Sequence, residues 1–103
     1  MGVMSTPTKQ PDISNRQERH QYELDIDGKL AAWIHYRMRG EDTIELVHTE
    51  VKPGHEGQGL ASKIASFAFD DARSRGLKVI PTCTYLQNFL QRRPEYQDLL
   101  APH

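Results

Sequence analysis

The apolar positions of this chain change their period along its length, and the changes divide it into elements. From His20 the period is two: Tyr22, Leu24 and Ile26 fall on one side, and Asp27-Gly28 supplies the residue types of a hairpin turn. Residues 29–38 continue the alternation, with Leu30, Ala32, Ile34 and Tyr36 set against Ala31, Trp33, His35 and Arg37. Gly40-Glu41-Asp42 then turns the chain into a third strand over residues 43–51. Leu60, Ile64, Phe67, Ala68 and Ala72 recur at three- and four-residue steps, which predicts a helix from about residue 59 to 75 with Gly76 as its cap. Residues 77–83 are a short apolar strand. Leu86, Phe89 and Leu90 mark the face of a last helix, and Pro94 stands at a first helical position ahead of Tyr96, Leu99 and Leu100. A strand, a helix and a strand at this spacing form a βαβ unit, so the third and fourth strands are expected to be parallel with a right-handed crossover. The fold class is α+β: an antiparallel meander of three strands, then a helical crossover to a parallel fourth strand in a mixed sheet, then a C-terminal helix. Residues 1–16 mix Pro, Ser, Thr, Lys and Gln without periodicity and are expected to form a disordered tail, leaving residues 17–103 as a single domain.

Composition narrows the possibilities. A chain of 103 residues holds one domain at most, and a core of that size leaves little margin of stability. Its 13 basic and 14 acidic side chains are interspersed and sum to a net charge of -1, so neither a nucleic acid nor an anionic membrane has electrostatic support as a partner. One cysteine makes no internal disulfide, no apolar run approaches the roughly 18 residues of a spanning helix, and no signal peptide is read, so the cytoplasm is expected; the oligomeric state is open, with a monomer as the default. Met1-Gly2 opens a short N-myristoylation pattern, but without a polybasic neighbour it reads as the start of the flexible tail. His20, His35, His55 and His103 show no metal-ligand spacing and read as solvated or structural, so no metal is expected.

The stretch richest in chemical information is residues 47–61, where a β-branched run stops at Pro53 and a glycine-rich turn opens onto the first long helix. Such a turn presents unpaired backbone N–H groups to an anion, and glycine lets the backbone approach a phosphate closely. Two familiar phosphate loops fail here. A P-loop needs Gly-Lys-Ser/Thr, whereas Gly59 is followed by Leu60-Ala61-Ser62-Lys63; a dinucleotide fingerprint needs a third glycine where Ser62 stands.

Glu56-Gly57-Gln58-Gly59-Leu60-Ala61 resembles the acyl-CoA loop of the GCN5-related N-acetyltransferases, Arg/Gln-x-x-Gly-x-Gly/Ala. His48-Thr49-Glu50-Val51, the helix end Asp71-Ala72-Arg73-Ser74-Arg75-Gly76, the single Cys83 and Arg93-Pro94-Glu95-Tyr96 resemble, more narrowly, a subfamily of very small acetyltransferases of about a hundred residues with one active-site cysteine. The likeness runs from about residue 20 to 100. It departs from the pattern at Glu56, where Arg or Gln is usual, at Thr84, where Pro is usual, and at Arg93, where His is usual; Phe89-Leu90 stands where larger members carry a tyrosine acid. The resemblance implies a minimal acetyltransferase-like domain that takes acetyl-CoA as co-substrate and an amine as acceptor. It also implies that the pantetheine arm lies where the two parallel strands splay apart, which the prolines Pro53 and Pro81 suit, and that Val51, Glu56, Gly57, Gln58, Gly59, Leu60, Ala61 and Tyr85 contact the cofactor.

The transfer needs a neutral amine, and an amine of pKa about 10.4 is neutral in only about one molecule in a few thousand at pH 7. Glu50 and His48, two apart on the third strand, share a face and are the candidate bases. Cys83 ends the fourth strand at the sheet edge where the acyl loop lies, because parallel strands bring their C-terminal ends together. It is a candidate catalytic thiol, as nucleophile or as the acid that protonates the CoA thiolate, and otherwise a small core residue. Tyr85 is a pantetheine contact, an acid or a plain packing residue, and Trp33 and Tyr36 are core or cleft walls. Arg92 and Arg93 are surface cations within possible reach of CoA phosphates. The alternative to an enzyme is an acyl-CoA-binding module with little turnover.

Overall fold

A computed structural model describes residues 11–102. Residues 1–10, with the N-myristoylation pattern, and His103 lie outside the described part. Five strands form one sheet in the order of the chain: β1 (Asp12–Arg16), β2 (Gln21–Ile26), β3 (Lys29–Arg39), β4 (Thr43–Val51) and β5 (Lys78–Pro81). The first three junctions are antiparallel and β4 runs parallel to β5, so the expected βαβ unit is present. Helix α1 (Leu60–Ser74) makes the crossover, and α2 (Thr84–Gln91) follows β5 directly.

β1 corrects the expected tail. Residues 12–16 pair with β2 from Asp12↔Asp25 to Arg16↔Gln21, although only Ile13 among them is apolar. Side-chain hydrogen bonds fix them instead. Asn15 accepts from the Tyr36 hydroxyl at 2.6 Å, and the Tyr22 hydroxyl donates to Asp71 on α1 at 2.7 Å, with Arg75 donating to the same carboxylate at 3.1 Å. Burial pushes the Tyr22 phenol up, and the bond to Asp71 adds to the shift, so this buried hydroxyl stays a donor.

The strand alternation works as the sequence indicates except at Ala31, the extra residue of β3 between the pairs Leu24↔Ala32 and Asp25↔Leu30, which is buried although the alternation set it on the face opposite Ala32. Tyr22, Leu24, Ala32, Ile34, Tyr36, Ile44 and Leu46 are buried on one face, against Leu60, Ile64, Ala65, Ala68, Phe69 and Ala72 of α1. Phe69 belongs to the helix face in place of Phe67, which sits at the flank with its ring edge towards Tyr22. Phe69 stacks on Phe89 of α2, 5.8 Å between centroids, and on Tyr96 at 5.2 Å, which ties both helices and the C-terminal turn to the same side of the sheet. Burying such a ring contributes about 2–3 kcal/mol. The segment expected to be helical after Pro94 is a 3-10 turn, Pro94–Leu99, from which Leu100 makes a parallel bridge to Val79.

Two irregularities shape the site. Pairing of β4 with β5 runs only from Thr43↔Lys78 to Leu46↔Pro81. Pro81 has no N–H to give, and the next two amides, of Thr82 and Cys83, both converge on the Leu46 carbonyl at 3.1 and 3.2 Å. Residues 47–51 of β4 therefore pair with β3 alone. Within β4, the partners pass from Leu46↔Tyr36 to His48↔His35, leaving Val47 as the extra residue of a β-bulge.

Candidate active site

The bulge decides which side chains face which way. Without it, His48 and Glu50 would share the core face with Ile44 and Leu46. With Val47 inserted, Thr49 and Val51 lie opposite the buried Ile34 and Ala32, while His48 and Glu50 lie opposite the exposed His35 and the half-buried Trp33. His48 Nε2 and Glu50 Oε1 are 2.5 Å apart, both largely exposed. The expected pairing of these two residues on one face is seen, but the face is the uncovered one. Trp33 is accordingly a wall of that open face, and Tyr36 is core.

On the covered side of β4, Cys83 Sγ donates to Thr49 Oγ1 at 3.4 Å across the point where β4 and β5 have parted. Cys83 is half-buried and is the N-cap residue of α2, so the thiol sits where an extended strand turns into a helix. Thr49 carried no separate signal in the sequence; its only mark is its register two residues before Val51.

Beyond the gap lies the loop that leads to α1. Gly59 occupies the N-cap position at φ 74°, a left-handed conformation that glycine adopts without a Cβ penalty. No side chain caps this end and no acidic residue lies in its first turn, so the leading N–H groups of α1 are left for an outside acceptor. A cavity of about 290 Å³ adjoins them, bounded by Val51, Glu56, Gly57, Gly59, Leu60 and Ala61, with Tyr85 from α2 closing the far side. The expected cofactor contacts thus meet in one cavity, except Gln58, which turns to a neighbouring one. His55 and Ser62 also line it. Glu56 is folded back: it accepts the Gly54 N–H at 2.8 Å, and backbone N–H groups of its own residue and of Gly54 hold its carboxyl below the usual range.

Tyr85 has its phenol pushed up by burial, with Arg92 and Arg93 opposing, so its hydroxyl is protonated at neutral pH. Phe89 and Leu90 are core, and the Arg93 guanidinium lies 5.0 Å over the Phe89 ring. A larger cavity of about 490 Å³, between β5 and the C-terminal segment, has Thr82 and Gln87 as its polar side chains and no ionisable one, so it offers nothing for proton transfer. Among the described residues, no group of three or more His, Cys, Asp or Glu side chains could hold a metal ion.

Comparison with known proteins gives the family. The sequence profile of the GCN5-related N-acetyl-transferase family matches residues 21–99. The chain belongs to this family. It is an acyltransferase of the N-acetyltransferase class. Protein NATD1 of Danio rerio is 33% identical over 95 residues, covering 85% of this chain and 86% of that protein. Protein NATD1 of Xenopus tropicalis is 29% identical over 99 residues, covering 93% and 91%. The solution structure of a GCN5-like putative N-acetyltransferase from Staphylococcus aureus superposes with a TM-score of 0.68 at 26% identity and covers 89% of each chain. The chain thus spans most of the length of each of these relatives.

Proposed function

We propose that this protein transfers an acetyl group from acetyl-CoA to a primary amine. The observation that carries the reading is the continuity of three features: the parting of β4 and β5 at Leu46 and Pro81, the one-sided stretch 47–51, and the uncapped start of α1. A pantetheine arm in the gap would pair with backbone groups of β4 that have no strand on that side, and the pyrophosphate would accept from the N–H groups of residues 57–61. Glu56 leaves that anion site to the backbone, because its carboxylate is held on Gly54.

The acetyl carbonyl would then stand between the two faces of β4. An amine entering from the open face meets the His48–Glu50 pair. Its nitrogen attacks the carbonyl carbon, the C–N bond forms, and collapse of the tetrahedral species breaks the C–S bond with the electron pair passing to sulfur. The amine proton goes to Glu50 directly, or to His48 Nδ1 while Glu50 holds the proton on Nε2. The departing thiolate takes a proton from a group on the covered side, where Cys83 and the protonated Tyr85 are placed. Participation of Cys83 belongs to this proposal, whether by proton donation or by carrying the acetyl group as a thioester.

Isothermal titration with CoA, followed by turnover assays with acetyl-CoA against a panel of primary amines, tests this reading. Binding with turnover is the expected result. Binding without turnover on any amine would leave an acyl-CoA-binding module, which the burial of Phe89 and Leu90 at the usual place of the tyrosine acid favours as the second reading. No binding at all would remove both.

A further inference from the structure

We propose that a second cavity, bounded by Lys29, His55 and Gln58, receives the 3′-phosphate of CoA, so that the protein distinguishes CoA from 3′-dephospho-CoA. The inference rests on the CoA reading above and adds Lys29 and His55, which the glycine loop does not contain.

The cavity exists because of the β2–β3 hairpin. Asp27 and Gly28 both adopt positive φ, 53° and 79°, the two-residue turn whose twist matches its strands. The turn places the first residues of β3 beyond the last β3–β4 pair, Ala32↔Val51, where the Lys52 N–H still reaches the Ala31 carbonyl at 2.8 Å. Lys29 is thereby brought alongside the segment that runs from β4 to α1. Together with Ile26, Asp27, His55 and Gln58 it encloses about 290 Å³. His55 is the shared wall: it lines this cavity and also the one over the helix N-terminus.

The imidazole supplies the reason to expect a ligand. His55 Nδ1 is shielded from solvent and finds no hydrogen-bond partner among the described residues, while its backbone N–H is fixed on the Lys52 carbonyl at 3.1 Å. A buried nitrogen left unpaired is costly, and a turn of the ring that presents it to an anion in the cavity recovers that cost. The side chains gathered there are an ammonium, an imidazole and a carboxamide, three donors suited to an oxyanion, with the Asp27 carboxylate as the one opposing charge. Asp27 makes attraction by net charge weak, so an anion must be delivered in place. A phosphate held one ribose away from a pyrophosphate already seated on the adjoining loop is delivered in that way, and CoA carries such a phosphate on its 3′ oxygen.

The test compares CoA with 3′-dephospho-CoA by isothermal titration on the full chain. The native protein should bind CoA about tenfold more tightly or better, a difference of about 1.4 kcal/mol. Lys29→Met should bring the CoA affinity down towards that of 3′-dephospho-CoA while leaving the latter unchanged, and His55→Gln, whose side chain also lines the loop cavity, should narrow the ratio between the two affinities. Lys29 is exposed, so its replacement leaves the fold intact, as an unfolding curve would verify. Equal affinity of the native protein for both ligands, or variants that weaken both ligands alike, would overturn the inference and leave the loop reading standing. Failure of both ligands to bind the native protein would overturn the loop reading itself and this inference with it.

Discussion

His48 Nε2 and Glu50 Oε1 lie 2.5 Å apart on the open face of β4, and they meet there because Val47 is an extra residue in the strand. The bulge turns two polar side chains out of a core they would otherwise enter, and leaves Thr49 and Val51 pointing into the gap. One inserted residue therefore separates a proton-accepting pair on one side of the strand from a thiol and a hydroxyl on the other.

A pair that acts as a unit should respond as one. Glu50→Gln and His48→Gln are each expected to lower kcat by about 10²- to 10⁴-fold, and the double variant to fall little further. CoA affinity should be unchanged in all three, because neither side chain lines the loop cavity. Steady-state kinetics with a titration of CoA checks both statements. Independent, multiplying losses would mean that only one of the two touches the amine.

Gly59→Val tests the phosphate loop. An added Cβ meets no heavy atom within 4 Å, so the folded protein has room for it, and the φ of +74° adds about 1–2 kcal/mol of strain. The space it enters is the cavity over the helix N-terminus. CoA binding should weaken at least tenfold, more than about 1.4 kcal/mol, with a cooperative unfolding transition retained. A folded variant with native CoA affinity would take the loop out of the cofactor site.

Much of this architecture was legible because one face of each element is buried. Period-two alternation gave β2, β3 and β4, and Leu60, Ile64, Ala68 and Ala72 gave α1, since burial selects apolar residues at those positions. β1 was not legible: its hold on the sheet is backbone pairing plus the Asn15–Tyr36 bond, which leaves no hydrophobic period. Nor was the bulge, because a single extra residue shifts the phase of a strand without changing its composition. The glycine loop and its helix were readable for a chemical reason, the left-handed turn at Gly59, whereas His55 and Lys29 come together only through the hairpin. Glu23 was equally hidden. It is buried on the polar phase of β2, which the alternation alone assigns to solvent.

Glu23 accounts for a fourth expected outcome, an acid-sensitive stability. Its carboxylate accepts two hydrogen bonds from Arg19, at 2.9 Å each, and one from Gln21 at 2.8 Å. The bonds from Arg19 hold it below the usual carboxylate range, against the opposing effect of burial and with Gln21 adding to the lowering. A depressed carboxylate contributes stability that is fully present above its unfolded pKa of about 4.3 and is lost as pH falls through the lower folded value. Glu23→Gln should cost about 2 kcal/mol at pH 7, roughly 10 °C in Tm. The gap between native and variant should close on acidification below about pH 4. A constant gap across that range would mean that the side chain contributes by packing alone.

Cys83 carries the last prediction. Its Sγ donates to Thr49 Oγ1 at 3.4 Å at the place where β4 and β5 part, and it is the single thiol of the chain. Any acyl-CoA in the gap brings its sulfur towards this pair, so CoA should slow alkylation of the native thiol, and Cys83→Ala should lower turnover at least tenfold. Two further measurements separate the roles. A nucleophile would leave a hydroxylamine-labile adduct, one acetyl group heavier, on the intact protein after incubation with acetyl-CoA. An acid would leave no adduct, and the alanine variant would recover on a thioester whose thiol is more acidic and departs without a proton. Native turnover in Cys83→Ala, together with alkylation that ignores CoA, would reduce the cysteine to a core residue and pass the proton to the half-buried phenol of Tyr85.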